Sequence, residues 1–376
     1  MASIHYRPTV AEIDLEAFRH NAREVLTRVP KPTQILAIVK ANAYGHGALF
    51  CARTLKGLGV NQCGVATVEE GIELRNGGIP GDIFVLDGLA ADSLQEFLEY
   101  RLKPVLHHLE EVKRFGAHLK SAGQSHPCHL KIDTGMGRLG LTPPEIEPLV
   151  ALLKQYPEVV VEGILTHLAR ADEAEPEPTD RQFLLFERLR KILGEKGKEI
   201  PCAHIANSSS IIDGRLDAYS MVRPGILLYG AYPHPRHREK ISLKPVMTFK
   251  TKILSVKKIP PGSAVSYGGT WVSKRESLIA ILPVGYADGY PRHLSNRGEV
   301  LLKGRRVPVV GRVCMDLTVI DVTDVPGTAI GDEVVLIGEQ GGERITAEEV
   351  ADRAETISYE IFCGISSRVP RIYKGL

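Results

Sequence analysis

Apolar, β-branched runs alternate with amphipathic stretches between residues 33 and 230. The amphipathic stretches repeat apolar positions every three or four residues, and several end at Gly or Pro, as helices do. Short apolar strands that alternate with helices indicate a parallel sheet covered on both faces. The strand runs cover residues 33–40, 62–67, 82–88, 103–108, 128–133, 159–167, 202–207 and 221–230. The helical patterns cover residues 48–59, 68–77, 93–102, 109–123, 144–156 and 180–197. Eight such runs predict a (β/α)8 barrel, and an open six-stranded sheet is the alternative if two of them are loops.

The pattern changes near Leu243, where the runs become shorter and glycine-rich turns separate them. This texture is typical of an antiparallel β domain. The predicted strands cover residues 249–256, 278–284, 300–302, 307–310, 318–322 and 333–337. Thr346 and Glu349 form a capping box that predicts one late helix. We therefore expect two domains, a barrel over residues 1–243 and a β domain over residues 244–376.

The composition narrows the class of protein. Lys and Arg total 47 against 45 Asp and Glu, a net charge of +2 with no basic cluster, which argues against nucleic-acid binding. No uncharged apolar run approaches the ~18 residues that span a bilayer, and acidic residues interrupt the first twenty positions, where a secretory signal needs an apolar stretch. The six cysteines form no C-x-x-C pair. We expect reduced, mostly buried thiols and a cytoplasmic location.

The candidate chemistry lies where the predicted barrel strands run out into loops, because barrel enzymes place their active sites there. These positions hold Lys40 with Tyr44, Arg138 in a glycine-rich loop, His167, Asn207 with Ser208–Ser210, and Arg223 with Gly225. Such a rim, rich in cations and glycine and poor in carboxylates, suits a ligand with phosphate and carboxylate groups. A lysine at the end of an apolar strand either extends its charge to solvent or reacts as a neutral amine with an aldehyde. The residues alone leave both readings of Lys40 open.

The segment Gly135–Gly140 matches the pattern G-x-G-x-x-G and follows a predicted strand. The pattern suggests a nicotinamide-dependent enzyme only if a helix begins within the glycines. Pro143 and Pro144 place the helix start after the motif instead, so we discount this interpretation. The histidines and cysteines show no zinc-ligand spacing, and we expect no metal site.

Several ordered motifs resemble those of the bacterial alanine racemases, a family of pyridoxal-phosphate enzymes with a barrel and a β domain. The motifs extend over nearly the whole chain, and each is moderately specific alone. They are Val39-Lys-Ala-Asn-Ala-Tyr-Gly-His-Gly47, Lys131-Ile-Asp-Thr-Gly-Met-Gly-Arg138, Thr166-His167, Ala206-Asn-Ser208, Val222-Arg-Pro-Gly-Ile226, Val265-Ser-Tyr-Gly268, Pro283-Val-Gly-Tyr-Ala-Asp288, Gly311-Arg-Val-Cys-Met-Asp316 and Tyr359.

The resemblance implies a role for each matched residue. Lys40 would hold the cofactor as a Schiff base and act as one proton-transfer base, and Tyr267 from a second subunit would be the other. Among the other cofactor contacts that the resemblance implies, the phosphate would be bound by Tyr44, Ser208, Gly225, Ile226 and Tyr359, and the pyridine nitrogen would be contacted by Arg223, while His167 and Asn207 would orient neighbouring groups. Arg138 and Met315 would bind the substrate carboxylate, and Lys131 would be carbamylated. Tyr286 and Arg292 would line the entrance of the active site.

The resemblance also implies a function: interconversion of L- and D-alanine by a homodimer with shared active sites, which supplies D-alanine for peptidoglycan. Three alternatives stay open. Two are a broad-specificity amino-acid racemase and a related pyridoxal-phosphate-dependent decarboxylase, although the Val-Ser-Tyr-Gly motif argues against the decarboxylase. The third is a non-catalytic pyridoxal-phosphate carrier, and the β domain after Leu243 argues against it.

Overall fold

A computed structural model describes residues 6–90, 93–173, 175–216 and 219–376 of the chain. The chain begins with strand β1 (Val10–Asp14) and helix α1 (Leu15–Arg28), which Asp14 caps by accepting hydrogen bonds from the first helical N–H groups. Eight parallel strands follow: β2 (Gln34–Ile38), β3 (Gln62–Val65), β4 (Asp82–Val85), β5 (Leu102–Leu106), β6 (His126–Lys131), β7 (Val159–Leu165), β8 (Cys202–His204) and β9 (Met221–Val222). Each falls within or next to a predicted run.

These strands pair in chain order from β2 to β8, and β9 pairs with β2, where Gln34 lies opposite Met221. The gap between β8 and β9 is bridged by backbone hydrogen bonds, including one from the Arg223 N–H to the Ala206 carbonyl at 2.9 Å. The sheet therefore closes into the predicted barrel, and the open-sheet alternative is wrong.

Helices cover the outside of the barrel. They are α3 (Ala48–Lys56), α4 (Val68–Asn76), α5 (Leu94–Glu99), α6 (Leu109–Ala122), α7 (Ile146–Gln155), α8 (Glu177–Glu195) and α9 (Ser208–Ile212). The segment α2 (Lys40–Tyr44), directly after β2, is a short turn with left-handed backbone. Capping residues set their ends: α4 begins at a capping box of Thr67 and Glu70, and α6 ends at Gly123, whose φ of 63° suits glycine. Strand and helix side chains meet in one continuous apolar core.

The second part of the chain is mainly antiparallel, as predicted. Its strands are β10 (Met247–Lys252), β11 (Ser255–Ile259), β12 (Ala264–Val265), β13 (Trp271–Val272), β14 (Ser277–Leu282), β15 (Glu299–Leu302), β16 (Arg305–Pro308), β17 (Thr318–Asp321), β18 (Glu333–Gln340), β19 (Glu343–Ile345) and β20 (Arg371–Lys374). Two helices, α10 (Ala347–Ala354) and α11 (Ser358–Gly364), pack among them. The predicted helix start is confirmed, since Thr346 accepts a hydrogen bond from the Glu349 N–H.

The largest sheet of this part has the strand order β16-β15-β18-β10-β1-β20, with β19 paired to β18. Its strand β1 comes from the start of the chain, antiparallel to β10 and parallel to β20. The domain division at residues 243 and 244 stays a prediction. The single predicted strand over residues 249–256 is wrong, because the chain breaks there into β10 and β11, which belong to different sheets.

The structure bears on two further expectations, the absence of a membrane-spanning segment and the burial of the cysteines. Within the described residues, no helix combines the length and the apolar character needed to cross a membrane. The cysteines are free thiols, and Cys51, Cys63 and Cys128 are buried as expected, whereas Cys363 is exposed.

Candidate active site

The turn after β2 places Lys40 and Tyr44 at its two ends. All four residues from 41 to 44 have φ values between 51° and 54°, although none is glycine. Each left-handed residue of this kind costs about 1–2 kcal/mol, and such strain persists where the surroundings over-determine the backbone. One fixing contact comes from Asn42, whose Oδ1 accepts a hydrogen bond from the Ala48 N–H at 2.8 Å. The chain thus holds Lys40 and Tyr44 in one strained, fixed arrangement.

Two tyrosine rings lie close together beside this turn. The rings of Tyr44 and Tyr359 have centroids 5.8 Å apart. Burial raises the pKa of both phenols, so both stay protonated at neutral pH and can donate. Neither hydroxyl has a partner among the described residues. A Cβ added at Gly225 would lie 2.8 Å from the Tyr44 Oη, so glycine is needed to leave the space beside that hydroxyl.

Ser208 and the backbone of Gly225 and Ile226 lie beside the same space. The Gly225 N–H donates to the Ser208 Oγ at 3.0 Å, and Asn207 caps α9 by accepting a hydrogen bond from a helical N–H. The Ile226 N–H has no acceptor in the described part of the chain. Hydroxyls and free N–H groups at the start of a helix are suited to binding a phosphate group. The observed donor set therefore fits the phosphate end of pyridoxal phosphate.

Arg223 lies in the barrel and is only 5 % exposed. Its guanidinium donates to the backbone carbonyls of His204 at 2.7 Å, Thr166 at 2.5 Å and Ile205 at 3.2 Å. Burial lowers the pKa of Arg223 to about 10, which still leaves it protonated at neutral pH. The Nε–H of Arg223 has no acceptor among the described residues. A buried cation with one free donor suits a ring nitrogen that accepts a hydrogen bond.

A chain of hydrogen bonds leads from Arg223 into the barrel interior. The Arg223 Nη1 lies 3.2 Å from the His204 Nδ1, and the His204 Nε2 lies 2.8 Å from the His129 Nδ1. Guanidinium can only donate, so the His204 Nδ1 must accept, and the single proton of a neutral His204 must sit on Nε2. His129 then carries its own proton on Nε2. Burial lowers the pKa of both histidines, to about 3 for His129, so both rings are neutral and leave the charge on Arg223.

Lys131 ends strand β6 and is only 7 % exposed. Burial, followed by the nearby cations Arg138 and Arg223, lowers its pKa to about 8, and the Asp87 carboxylate only partly opposes this. Lys131 is therefore mostly cationic near neutral pH, but it forms the neutral amine more readily than an exposed lysine does. The neutral amine is the chemical form that reacts with carbon dioxide.

His167 lies among the same cations. Burial and then the charges of Arg223, Lys131, Arg138 and Lys40 lower the pKa of His167 to about 3, so its ring is neutral. Four cationic side chains thus converge on one neutral imidazole. Their mutual repulsion is relieved when an anionic ligand binds between them.

The loop that carries Arg138 is organised by one carboxylate. The Asp133 Oδ1 accepts hydrogen bonds from the N–H groups of Gly135, Met136 and Gly137 at 2.9, 2.9 and 3.2 Å. The next helical turn begins at Pro143, after the glycines. Discounting the nicotinamide interpretation is therefore confirmed, because no helix begins within the motif.

The other predicted site residues lie on loops of the second part of the chain. Tyr267 is 73 % exposed, Met315 is 53 % exposed and Tyr286 is 43 % exposed, and Arg292 begins a short 3-10 helix. The Ala287 N–H donates to the Met315 carbonyl at 3.0 Å, which joins two of these loops. No contact between them and the barrel cluster is found among the described residues.

The barrel cluster contains most of the predicted site residues. The structure brings together Lys40, Tyr44, Lys131, Arg138, His167, Asn207, Ser208, Arg223, Gly225, Ile226 and Tyr359. It does not bring Tyr267, Met315, Tyr286 or Arg292 to them. The sequence analysis missed His129, His204 and Asp133. The two histidines could have been noticed as polar residues inside otherwise apolar strands.

Two sets of side chains in the described part of the chain have the spacing of metal ligands, His129 with Cys202 and His204, and His107 with His108 and Glu111. Hydrogen bonding accounts for the first set, as described above. In the second set the His107 Nδ1 lies 2.6 Å from a Glu111 carboxylate oxygen. The expectation of no metal site stays a prediction.

Comparison with known proteins identifies the family. Two family models match, "Alanine racemase, N-terminal domain" over residues 13–233 and "Alanine racemase, C-terminal domain" over residues 246–373. The chain belongs to the alanine racemase family. The resemblance seen in the motifs is confirmed, and with it the isomerase class, the dependence on pyridoxal phosphate and the pairing of a barrel with a β domain.

Individual alanine racemases are similar to this chain over nearly its whole length. The alanine racemase of Halothermothrix orenii is 45 % identical over 369 residues, covering 98 % of this chain and 97 % of the relative. The solved alanine racemase of Streptomyces lavendulae has a TM-score of 0.94 at 35 % identity, covering 99 % of this chain and 98 % of that one. The alanine racemase of Bartonella henselae, solved with covalently bound pyridoxal phosphate, has a TM-score of 0.88 at 31 % identity, with 98 % and 99 % covered.

Proposed function

We propose that the chain interconverts L- and D-alanine as a homodimer in which Lys40 of one subunit and Tyr267 of the other exchange protons with the substrate. The observation that carries this proposal is the division of the site: the barrel holds the cationic, phosphate-binding half, whereas Tyr267 and Met315 project from exposed loops. Removing a proton from one face of Cα and returning one to the other requires two groups. We assign one of these roles to Lys40 in the barrel cluster and the other to Tyr267 of the partner subunit.

The barrel residues fit pyridoxal phosphate. Tyr44, Tyr359, Ser208, Gly225 and Ile226 would hold its phosphate, and Lys40 would bind its aldehyde carbon. Arg223 would donate from Nε to the pyridine nitrogen. When bound, pyridoxal phosphate delocalises the electron pair left on Cα after proton removal.

The two proton-transfer atoms are the Lys40 Nζ and the Tyr267 Oη. Amine and phenol have unperturbed pKa values near 10.4 and 10, so each acts as a base only where its charged surroundings favour the neutral amine or the phenolate. Lys40 lies close enough to Lys131 and His167 to act on both electrostatically. The Tyr267 hydroxyl would enter the same cluster from the partner subunit.

Arg138 would bind the substrate carboxylate, together with the exposed backbone at Met315 of the partner subunit. Arg138 has two cationic neighbours, Lys131 and Arg223, and no carboxylate partner among the described residues. A carbamate on Lys131 supplies one: the neutral Lys131 amine attacks carbon dioxide, an N–C bond forms and a proton leaves. A chain prepared with 13C-bicarbonate should then show a carbamate carbon signal that is absent from Lys131→Ala.

We also propose a domain division at residues 243 and 244, a cytoplasmic location and a role in supplying D-alanine for peptidoglycan. The match of the C-terminal family model over residues 246–373 counts against the non-catalytic carrier. A broad-specificity racemase is distinguished by assaying serine and larger amino acids beside alanine.

Complementation between inactive chains tests the shared site. Lys40→Ala and Tyr267→Phe chains, each nearly inactive alone, are mixed under conditions that exchange subunits. About half of the dimers are then mixed, each with one intact site, so activity should return to about a quarter of the wild-type value. Differently tagged chains that co-purify show that exchange took place. If exchange occurs and no activity returns, Tyr267 does not act on the partner's site.

A further inference from the structure

The left-handed turn from Lys40 to Tyr44 sets the spacing between the two ends of the proposed cofactor site. Lys40, at its start, belongs to the aldehyde end, and Tyr44, at its finish, belongs to the phosphate end. Because alanine and tyrosine disfavour positive φ, Ala41, Ala43 and Tyr44 hold this shape only while their neighbours fix it. Any contact that fixes the turn therefore also fixes the distance between the two cofactor-holding groups.

The last part of the turn is fixed by a buried histidine. The His46 Nδ1 lies 3.0 Å from the Ala43 carbonyl and 2.8 Å from the Tyr44 carbonyl. His46 itself is fully buried, and its ring stacks on Tyr229 at a centroid distance of 4.7 Å. This end of the turn is anchored to the core.

The first part of the turn is fixed by Glu70, which belongs to a different segment of the chain. Its Oε1 accepts a hydrogen bond from the Ala41 N–H at 2.6 Å. Its Oε2 accepts another from the Ala66 N–H at 2.7 Å, just after strand β3. One carboxylate thus joins the loops that follow two neighbouring barrel strands. Hydrogen bonds to an ionised acceptor are among the stronger ones in proteins.

We propose that Glu70 is a positioning residue of the active site: through the Ala41 N–H it holds the left-handed turn in the shape that sets Lys40 and Tyr44 for the cofactor. This inference rests on the proposed function. Glu70 also takes part in the capping box of α4, where its N–H donates to the Thr67 Oγ1 at 3.4 Å. The two roles are separable, because the Thr67 hydroxyl caps the helix without touching the turn.

Three variants separate turn positioning from helix capping. Glu70→Ala removes the contact with Ala41 and half of the capping box. Thr67→Ala removes only the other half of the capping box. Glu73→Ala, one turn further along α4 and exposed, removes a carboxylate that has no side-chain partner among the described residues.

The measured quantity is the dissociation constant of pyridoxal phosphate, obtained by titrating the cofactor-free chain and following near-visible absorbance. The melting temperature of the cofactor-free chain is measured alongside. Loss of a charge-assisted hydrogen bond predicts an increase in this constant of about tenfold for Glu70→Ala, against less than about twofold for the other two variants. Both Glu70→Ala and Thr67→Ala should lower the melting temperature, because both lose helix capping.

Glu70→Gln keeps one acceptor oxygen and should recover part of the lost affinity, and it carries the test if Glu70→Ala does not fold. Equal loss of affinity in Glu70→Ala and Thr67→Ala would show that the carboxylate only caps α4, which overturns the inference and leaves the proposed function intact. A wild-type chain that takes up no pyridoxal phosphate overturns both.

Discussion

The barrel half and the second half of the proposed site differ in how the chain holds them. In the barrel, Arg223 is buried, donates to three backbone carbonyls and continues through two neutral histidines into the core. In the second half, Tyr267 and Met315 stand on exposed loops without a contact to the barrel cluster among the described residues. One chain alone builds the barrel half. In the proposed homodimer the second half would act at the partner's site.

The largest expected effect comes from removing one group of each half. Lys40→Ala should abolish racemisation and the near-visible absorbance of the bound cofactor, whereas Tyr267→Phe should lower kcat by about 10³-fold or more and keep the absorbance. The reason is that all residues of the proposed phosphate-binding set, and Lys40, lie in the barrel cluster, which does not include Tyr267. Absorbance spectra and kcat of both purified variants check this. Loss of absorbance in Tyr267→Phe would show that the halves are not separable in this way.

The next effect concerns Gly225, which leaves space beside the Tyr44 hydroxyl because it has no side chain. Gly225→Ala places a Cβ about 2.8 Å from the Tyr44 Oη, so the affinity for pyridoxal phosphate should fall about tenfold or more. Gly194→Ala is the matched control, because an added Cβ there meets nothing within 4 Å and lies in helix α8. Equilibrium titration with the cofactor compares the two. Equal affinities would mean that the space beside Tyr44 is not used.

A smaller effect is expected from Lys131. Lys131→Ala removes the group proposed to orient Arg138, so KM for alanine should rise about tenfold while kcat changes less. Added small carboxylates should restore part of the affinity by pairing with Arg138. Lys113→Ala, on the exposed face of α6, controls for loss of one lysine. A change in kcat alone, with KM unaltered, would contradict an orienting role toward the substrate carboxylate.

The smallest effect is a pH dependence of folding stability that should differ between the barrel and residues 247–374. Burial lowers the pKa of His46 to about 4 and that of His129 and His167 to about 3. The unfolded chain binds more protons at these positions below pH 6.5, so folding stability falls as the pH drops from 6.5. At pH 5.5 the loss is about 1 kcal/mol for each buried histidine. Hydrogen exchange should show barrel amides losing protection before those of residues 247–374, and simultaneous loss would contradict this.

The sequence predicts those features that depend on local pattern. The eight barrel strands are recognisable because parallel strands are buried on both faces and read as continuous apolar runs. Lys40, Arg138 and His167 are found because strand ends in a barrel point to one face. The break between β10 and β11 at Ile253 and Leu254 is not found, since the apolar run continues through it.

Features that depend on contacts between segments far apart in the sequence cannot be predicted from local patterns. Residues 41 to 44 carry no glycine, so nothing local announces their left-handed turn, which Glu70 and His46 fix from elsewhere in the fold. The relay through His129 and His204 likewise exists only once β6 and β8 lie on the two sides of β7. Strand β1 is short and contains two acidic residues, and its partners lie more than 230 residues away.

Strand β1 joins segments that are far apart along the chain. Val10–Asp14 lies between β10 and β20, so residues 10–14 and residues 371–374 are neighbours in one sheet. During synthesis the strands of the barrel are complete by residue 222, whereas β1 has no partner until β10 emerges and no second partner until Arg371–Lys374 are made. Linking the segment after β20 to the segment before β1, and opening the chain between β9 and β10, should therefore give a permuted chain with the same sheet. In that order of segments the strands of this sheet follow one another along the chain, and its assembly does not wait for the barrel.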